Sequence, residues 1–313
     1  MQVLDHDAVL ARLDWPALVA AIRDALARGT AVAPPRQVLT IDLGGGESAT
    51  LLVMPAWEAG RAIGVKAVTF FPGNAAAGKP TINAGYLLFD GADGRLRAAL
   101  DGDALTVRRT AAASALAADL LARRDARTLL VAGTGQLAAA VAEAHASVRA
   151  YARVLVWGRS PAKAAAVVAA LAARGLPAEA CTDLAAGCRS ADVVSTVTAS
   201  TAPLVRGAWL APGSHLDLVG AFKADMRESD TAAVTGARLF VDGRAGALLA
   251  GDLAAPIAEG ALAETDIAGD LADLVRGARP GRTSASERTV FKSAGLALED
   301  LVAATLASGE CQD

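Results

Sequence analysis

Three groups of residues in this chain have the types and spacing to do chemistry. The first is Gly133-Thr-Gly-Gln-Leu-Ala138, a GxGxxA turn. Glycines at its first two positions permit a tight turn and close backbone approach to a ligand, and a small third residue lets a helix pack against a strand. N–H groups at the start of the following helix attract a pyrophosphate. Such a turn is weak evidence alone, so its context decides. Leu129–Ala132 read as a buried strand before it, and an apolar helical pattern runs from Leu137 to Ala146 after it. The combination predicts a bound dinucleotide, against the plainer alternative of a structural turn.

The second group lies about 20 residues on, where an acidic residue selects NAD by binding the ribose 2′-hydroxyl and an arginine accommodates the 2′-phosphate of NADP. Here Val154-Leu-Val-Trp157 ends in Gly158-Arg159-Ser160, with Lys163 one turn further and no Asp or Glu at the strand end. Arg159 is placed to pair with a 2′-phosphate and Ser160 to hydrogen-bond it. NADPH is therefore expected in preference to NADH. The alternative is a surface arginine ahead of a proline-started helix.

The third group is a set of cations in unusual settings. Arg36 follows Pro34-Pro35, Lys66 interrupts the apolar run Ile63–Thr69, and Arg109 sits in Leu105–Ala112 on the face of a helix. Two arginines suit a small carboxylate, which the guanidinium fork binds bidentately. A lysine suits a proton donor, or an electrostatic partner for a carbonyl or imine. Each also has a plain solvated alternative, because charged residues are mostly exposed.

These groups need elements to hold them. A strand Gln2–Leu4 opens the chain, and a helix through Leu18, Val19, Ile22 and Leu26 ends at Gly29. Strand-like runs follow at 37–42, 48–55, 62–71, 84–90 and 96–101, separated by glycine-, proline- and asparagine-rich turns. They predict a mainly antiparallel sheet with flanking helices, leading into a long helix from Ala104 to Leu121. After Arg127 the rhythm becomes strand–helix–strand, which predicts a parallel, doubly wound sheet. Strands are expected at 128–132, 153–157, 178–180, 193–196, 215–218 and 238–241. The run from Val290 returns to a helical pattern.

Bulk properties narrow the classes. The 313 residues suffice for two domains. The 53% hydrophobic content comes largely from alanine, and charges interrupt every long apolar run, so no spanning helix is expected. The first residues lack a basic-then-apolar signal pattern. Net charge is −3 with no basic run, which points away from nucleic acid and anionic membranes. Cys181, Cys188 and Cys311, with His6, His145 and His215, show no metal-ligand spacing, and no metal is expected. A reducing cytoplasm fits.

Together the motifs resemble the ornithine cyclodeaminase/mu-crystallin family. The resemblance rests on Pro35-Arg36, Met54-Pro55, Gly64-Val-Lys66, Leu105-Thr106, Arg109-Thr110-Ala-Ala112, Gly133-Thr-Gly-Gln136 and Trp157-Gly-Arg159. It continues through Ala191-Asp-Val-Val194 with Thr196 and Thr198, Gly213-Ser-His215, Val219-Gly220, Arg227-Glu228 and Phe291-Lys-Ser-Ala-Gly295. It implies an α/β protein: a Rossmann domain (123–289) inserted into a mixed, mainly antiparallel α+β domain (1–122 and 290–313) for substrate binding and dimerisation. The implied assembly is a homodimer. By similarity, Arg36, Lys66, Thr81 and Arg109 line the substrate site, with Lys66 and Arg109 catalytic. The cofactor residues would be Gly133, Thr134, Gly135, Gln136, Arg159, Ser160, Lys163, Thr196, Thr198, Val219 and Ser293 or its neighbour Ala294.

Within this resemblance, departures choose between chemistries. The cyclodeaminases carry an aspartate after the Val-Gly pair, whereas this chain reads Val219-Gly-Ala-Phe222, and a phenyl ring transfers no proton. Asp225 is offset by three residues. The Gly-Ala-Phe-x-x-Asp-Met-Arg-Glu form is similar to bacterial ketimine reductases, which reduce Δ1-pyrroline-2-carboxylate to L-proline and Δ1-piperideine-2-carboxylate to L-pipecolate. Phe222 would then wall the substrate ring. The alternatives implied are an alanine-type amino-acid dehydrogenase, an ornithine cyclodeaminase, and a mu-crystallin-like NADPH- and ligand-binding protein.

Overall fold

Burial alternates along Ala62–Phe70, which places Ala62, Gly64 and Lys66 on a covered sheet face and Ile63 and Ala67 on the opposite one. In the computed structural model, which describes residues 1–309, this strand lies in a six-stranded sheet. Cys311 lies outside the described residues. The chain forms two units, Met1–Arg109 with the chain from Leu296, and Thr110–Gly295.

The first unit holds β1 (Gln2–Leu4), α1 (His6–Arg12), α2 (Trp15–Arg28), β2 (Gln37–Gly44), β3 (Glu47–Glu58), β4 (Ala62–Phe70), β5 (Ile82–Asp90) and β6 (Leu96–Asp101). It also holds the first turns of α3 (Gly102–Leu121) and the C-terminal helix Ala297–Ala307. Strand order is β1-β6-β5-β4-β3-β2, with β1 parallel to β6 and the other pairs antiparallel. Asp14 caps α2 by accepting from Ala17 N–H (3.2 Å), and Gly29 ends it in the left-handed region at φ 65°. The C-terminal helix packs on β3, β4, β5 and α2 and covers the buried sheet face.

The larger unit alternates β7 (Thr128–Ala132), α4 (Gln136–Val148), β8 (Arg153–Trp157), α5 (Pro161–Ala172), β9 (Ala178–Cys181), α6 (Leu184–Ser190) and β10 (Val193–Thr196). It continues with β11 (His215–Leu218), α7 (Thr231–Thr235), β12 (Arg238–Val241), α8 (Arg244–Ala247), α9 (Gly251–Ala258), β13 (Ile267–Asp270), α10 (Leu271–Val275) and β14 (Thr289–Lys292). All eight strands are parallel, in the order β13-β12-β14-β11-β10-β7-β8-β9. The direction of winding reverses between β7 and β10. Ligands of open parallel sheets bind at such a switch point, outside the carboxyl ends of the strands. The GxGxxA turn follows β7.

The structure corrects one expectation. The sequence pattern predicts a helix from Val290, yet residues 290–292 form β14, which pairs with both β11 and β12 in the interior of the parallel sheet. A four-residue segment with only two apolar residues, Val290 and Phe291, is ambiguous by periodicity, and here strand neighbours on both sides decide it. The larger compact unit runs from Thr110, within α3, to Gly295, a wider span than the expected 123–289 domain that it contains.

The larger unit buries a polar knot. Asp217 accepts from Ser195 Oγ (2.6 Å) and from Ser114 Oγ, and His145 Nε2 lies 3.4 Å away. The residue types suggest a nucleophilic triad, but Ser114, His145 and Asp217 have no exposure, so the knot is structural. His215 Nδ1 lies 2.9 Å from Thr289 Oγ1, and burial pushes its pKa down from 6.5 to about 3. As pH falls from 6.5 towards 3, the unfolded chain takes up this proton while the folded chain does not. Stability is therefore lost over that window, by up to about 1.4 kcal/mol per pH unit. His215→Gln should flatten the dependence of urea midpoint on pH between 6.5 and 4.5. An unchanged slope in the variant would refute this assignment.

Candidate active site

The chemistry-bearing side chains of the first unit meet under the C-terminal helix. Lys66 projects from the centre of β4, where Met54 of β3 and Tyr86 of β5 flank it. Its Nζ lies 2.8 and 2.7 Å from the two carboxylate oxygens of Asp300, and 3.4 Å from Thr106 Oγ1. The Thr106 hydroxyl itself donates to Gly102 C=O (2.7 Å), so a lone pair faces the ammonium. Arg109, one α3 turn beyond Thr106, donates from Nε to Asp300 Oδ1 (3.1 Å) and from Nη1 to Glu299 Oε2 (2.9 Å). Lys66 is 2% exposed and Arg109 6%, while Glu299 and Asp300 are fully buried. The solvated alternative therefore fails for both cations.

Burial disfavours the ammonium and the Asp300 charge favours it. Burial is the larger effect, and the Lys66 pKa falls from 10.5 to about 8. The two carboxylates stand in the first turn of the C-terminal helix, where the dipole favours negative charge. Glu299 Oε2 also accepts from Leu296 N–H (3.4 Å) and so caps the helix it belongs to.

Arg36 and Thr81 are placed differently. Arg36 is half-buried and precedes Gln37, which pairs with Val53 beside Met54, so it extends the cross-strand row that contains Lys66. Thr81 precedes β5, half-buried, and its carbonyl accepts from Phe71 N–H (2.8 Å).

The larger unit carries the remaining expected residues. Gly133 has φ 143°, and a Cβ there would stand 2.7 Å from Val197 Cγ2 and 2.8 Å from its carbonyl oxygen, so only glycine fits. Gly135 opens α4 with no side-chain cap, and a Cβ there would meet open space. Ala138 is fully buried, and Gly158 leaves room for Thr134, whose Cγ2 would lie 2.5 Å from a Cβ. Gln136 is exposed beside the turn. These features fit a dinucleotide pyrophosphate at the start of α4. At the end of β8, Arg159 and Lys163 are exposed, and Ser160 Oγ caps α5 by accepting from Lys163 N–H (3.4 Å).

Behind the other strand ends lie buried carboxylates. Glu228 accepts from Thr198 N–H (2.6 Å), Thr198 Oγ1 (2.8 Å), Gly220 N–H (2.7 Å) and Ala221 N–H (3.2 Å). Val219 N–H donates to Thr196 C=O (3.0 Å). Asp242 accepts from Ser293 Oγ (3.1 Å), Ala294 N–H (2.7 Å) and Gly295 N–H (2.5 Å), so the Ser293 hydroxyl proton is already engaged. Phe222 is half-buried in the loop after β11, with Lys223 Nζ 5.5 Å from its ring, and Asp225 is exposed. Among the described residues no group of three His, Cys, Asp or Glu is arranged to hold a metal, and no helix is long and apolar enough to cross a membrane.

Sequence reasoning missed Glu299 and Asp300, the partners of both cations. A signal existed: adjacent acidic residues in the otherwise apolar run Ala297–Ala307.

Residues 3–312 match the ornithine cyclodeaminase/mu-crystallin family, and the chain belongs to it. It is 42% identical over 306 residues to a Δ1-pyrroline-2-carboxylate reductase of Paracoccus denitrificans, spanning 97% of this chain and 95% of that one. Among solved structures it is similar to the Thermococcus litoralis Δ1-pyrroline-2-carboxylate reductase in complex with NADH and L-proline. The TM-score is 0.92 at 30% identity, over 99% of this chain and 97% of that one. An archaeal alanine dehydrogenase dimer with bound NAD superposes with TM-score 0.91 at 27% identity, over 99% and 95% of the two chains.

The cluster has a measurable energetic consequence. Removing one partner of a buried ion pair typically costs about 3–5 kcal/mol, because the other charge stays behind. Lys66→Met should lower the urea midpoint accordingly at unchanged slope. Adding Asp300→Leu should restore much of the loss, since Arg109 keeps Glu299. Strictly additive losses would show that the Lys66–Asp300 pair is uncoupled.

Proposed function

We propose that this protein reduces a cyclic ketimine carboxylate, Δ1-pyrroline-2-carboxylate to L-proline and Δ1-piperideine-2-carboxylate to L-pipecolate, using NADPH in preference to NADH. The observation that carries the reading is a buried lysine of lowered pKa fixed beside a buried arginine. An anionic imine needs both a carboxylate partner and a proton source, and this pair supplies them.

Arg109 is locked by Asp300 and Glu299 into one orientation, and with Arg36 it would hold the carboxylate. Hydride addition turns the imine carbon tetrahedral and the nitrogen into an amine, so a proton must reach that nitrogen. Lys66, mostly protonated at neutral pH yet a better acid than an exposed lysine, is the proposed donor. Phe222 would give the ring an apolar wall. A dinucleotide held by Gly133, Thr134, Gly135, Gln136, Thr196, Thr198, Val219 and Ser293 would supply the hydride. The NADPH preference rests on exposed Arg159 and Lys163, with Ser160 between them, and on the lack of an acidic residue at the end of β8. The two solved relatives carry NADH and NAD.

The likeness to an alanine dehydrogenase favours one second reading, reductive amination of an open-chain oxo acid. A cyclodeaminase is disfavoured by Phe222, and a pure binding protein by four buried charges with no other use. We further propose a homodimer joined through the sheet face opposite Lys66. Leu39, Trp57, Ile63, Leu87 and Val3 share that face by register and are between 36% and 73% exposed, an apolar surface of the kind that marks an interface. The free thiols Cys181 and Cys188 fit a reducing cytoplasm.

Oxidation of NADPH, followed at roughly 340 nm where the reduced nicotinamide absorbs, should be fast with either cyclic imine. It should be at least about tenfold slower with pyruvate plus ammonium, and ornithine alone should release no ammonia. The reverse ranking would replace this reading with the dehydrogenase. Arg159→Ala should raise the Kd for NADPH about tenfold or more and leave that for NADH unchanged; equal effects on both would remove Arg159 from the 2′-phosphate. In wild type, kcat/KM for imine reduction should fall as pH rises through about 8, where Lys66 loses its proton. A flat profile from pH 7 to 9.5 would exclude Lys66 as the donor.

A further inference from the structure

We propose that adjacent acidic residues of the C-terminal helix divide the control of the two cations: Asp300 is the positioning residue for Lys66, holding its ammonium for proton transfer, and Glu299 is the positioning residue for Arg109. This rests on the reduction proposed above.

The geometry is specific. Both Asp300 oxygens lie within 2.8 Å of Lys66 Nζ, while Glu299 reaches Arg109 Nη1 at 2.9 Å. Asp300 also takes Arg109 Nε at 3.1 Å, which ties the two cations to one carboxylate and fixes their separation. With Thr106 Oγ1 at 3.4 Å, two of the three ammonium protons of Lys66 have acceptors within the protein. The lysine is therefore aimed as well as charged.

The groups around Lys66 are few. Asp300 and Glu299 face it from the C-terminal helix, Arg109, Thr106 and Asp103 from α3, and Tyr86 from β5. Tyr86 is fully buried, and burial and Asp300 push its phenol well above its usual range, so it stays neutral. Arg109 and burial both drive the proton off Lys66, and Asp300 is the strongest group opposing them. Without its charge, the ammonium would face a nearby guanidinium in a dry site. The proton would then leave at lower pH than it does beside Asp300.

Asp300→Asn keeps the shape of the side chain and removes the charge. Its kcat for the cyclic imine at pH 7 should fall about tenfold or more, and the descending limb of the pH profile should move from about 8 to lower pH by one unit or more. Activity should recover on acidification, which a merely misfolded protein would not show. Asp300→Glu should restore the limb in part. Glu299→Gln should instead raise KM about tenfold while moving the limb to lower pH by less than Asp300→Asn does, since its charge supports the Lys66 ammonium more weakly than that of Asp300. An unmoved limb in Asp300→Asn, or the same KM and limb changes in both variants, overturns the proposal.

A substrate-free measurement separates failure of this inference from failure of the reaction assignment. In protein labelled with ¹⁵N at lysine Nζ, the resonance lost in Lys66→Met should titrate near 8 in wild type and lower in Asp300→Asn. If no cyclic imine is reduced but this shift is present, the reaction is wrong and the role of Asp300 stands. If imines are reduced and the resonance does not move, Asp300 does not govern Lys66. Should Asp300→Asn fail to fold, the wild-type titration decides: a Lys66 transition above 10 or below 6 refutes the balance described.

Discussion

Four charges buried in one place set the terms for the first unit. Lys66 comes from a strand, Arg109 from α3, and Glu299 and Asp300 from the last helix, and none of the four has more than 6% exposure. Single charges in such surroundings would neutralise or unfold the region, so each fixes where its partners must be. The requirement reaches across the chain, since the cations lie within the first 109 residues and the carboxylates beyond 298. It therefore demands that the chain's end return to its beginning. A sheet whose buried face is covered by a C-terminal helix, with Thr110–Gly295 inserted before that helix, is the topology that satisfies it. The carboxylates in turn stand where a helix best tolerates them, in its first turn.

The larger unit applies the same device to backbone. Buried Glu228 gathers three N–H groups and one hydroxyl from the segments after β10 and β11, and Asp242 gathers two N–H groups and one hydroxyl from the segment after β14. Asp252 accepts from Glu228 N–H (2.8 Å) and Ser229 N–H (2.9 Å) and pairs with buried Lys292 (3.2 Å). Loops at the carboxyl ends of parallel strands have no ladder to hold them, so internal acceptors replace it. Thr198, Val219 and Ser293 are consequently shaped by carboxylates beneath them. Glu228 appeared in the sequence only as part of a family motif, and the structure gives it a physical task.

Legibility followed the range of the interaction. The Gly133 turn, its strand and its helix are local patterns, and so is the change from alternating strands to strand–helix repeats; both were readable. Lys66 was half readable, because a lysine in an apolar strand marks an anomaly without saying which face it takes. Its burial depends on a helix more than 200 residues away. Glu299 and Asp300 were hidden by an ordinary explanation, since acidic residues in a first turn need no further reason. Residues 290–292 look helical in the sequence for a related cause: a segment this short becomes a strand only when β11 and β12 supply neighbours on both sides. Long-range charge pairing and strand insertion leave no periodicity to find.

Charge counting adds a distinction between the two arginines. Lys66 and Arg109 against Glu299 and Asp300 make a set with no net charge, and a neutral set does not draw an anion from water. On the proposed reaction, the carboxylate would bring one further negative charge into a site already holding two. Arg109 has given two of its donors to protein carboxylates, so its contribution is direction rather than net attraction. On the same proposal Arg36, half-buried just before β2 and continuing the row that passes through Met54 to Lys66, would add positive charge for that carboxylate. Capture and orientation of the anion would thereby be separated, one cation beside the sheet edge and one beneath its helix. On the proposed reaction, an arginine fixed by two carboxylates and a second arginine in the same cross-strand row would together favour a small carboxylate with an adjacent basic nitrogen.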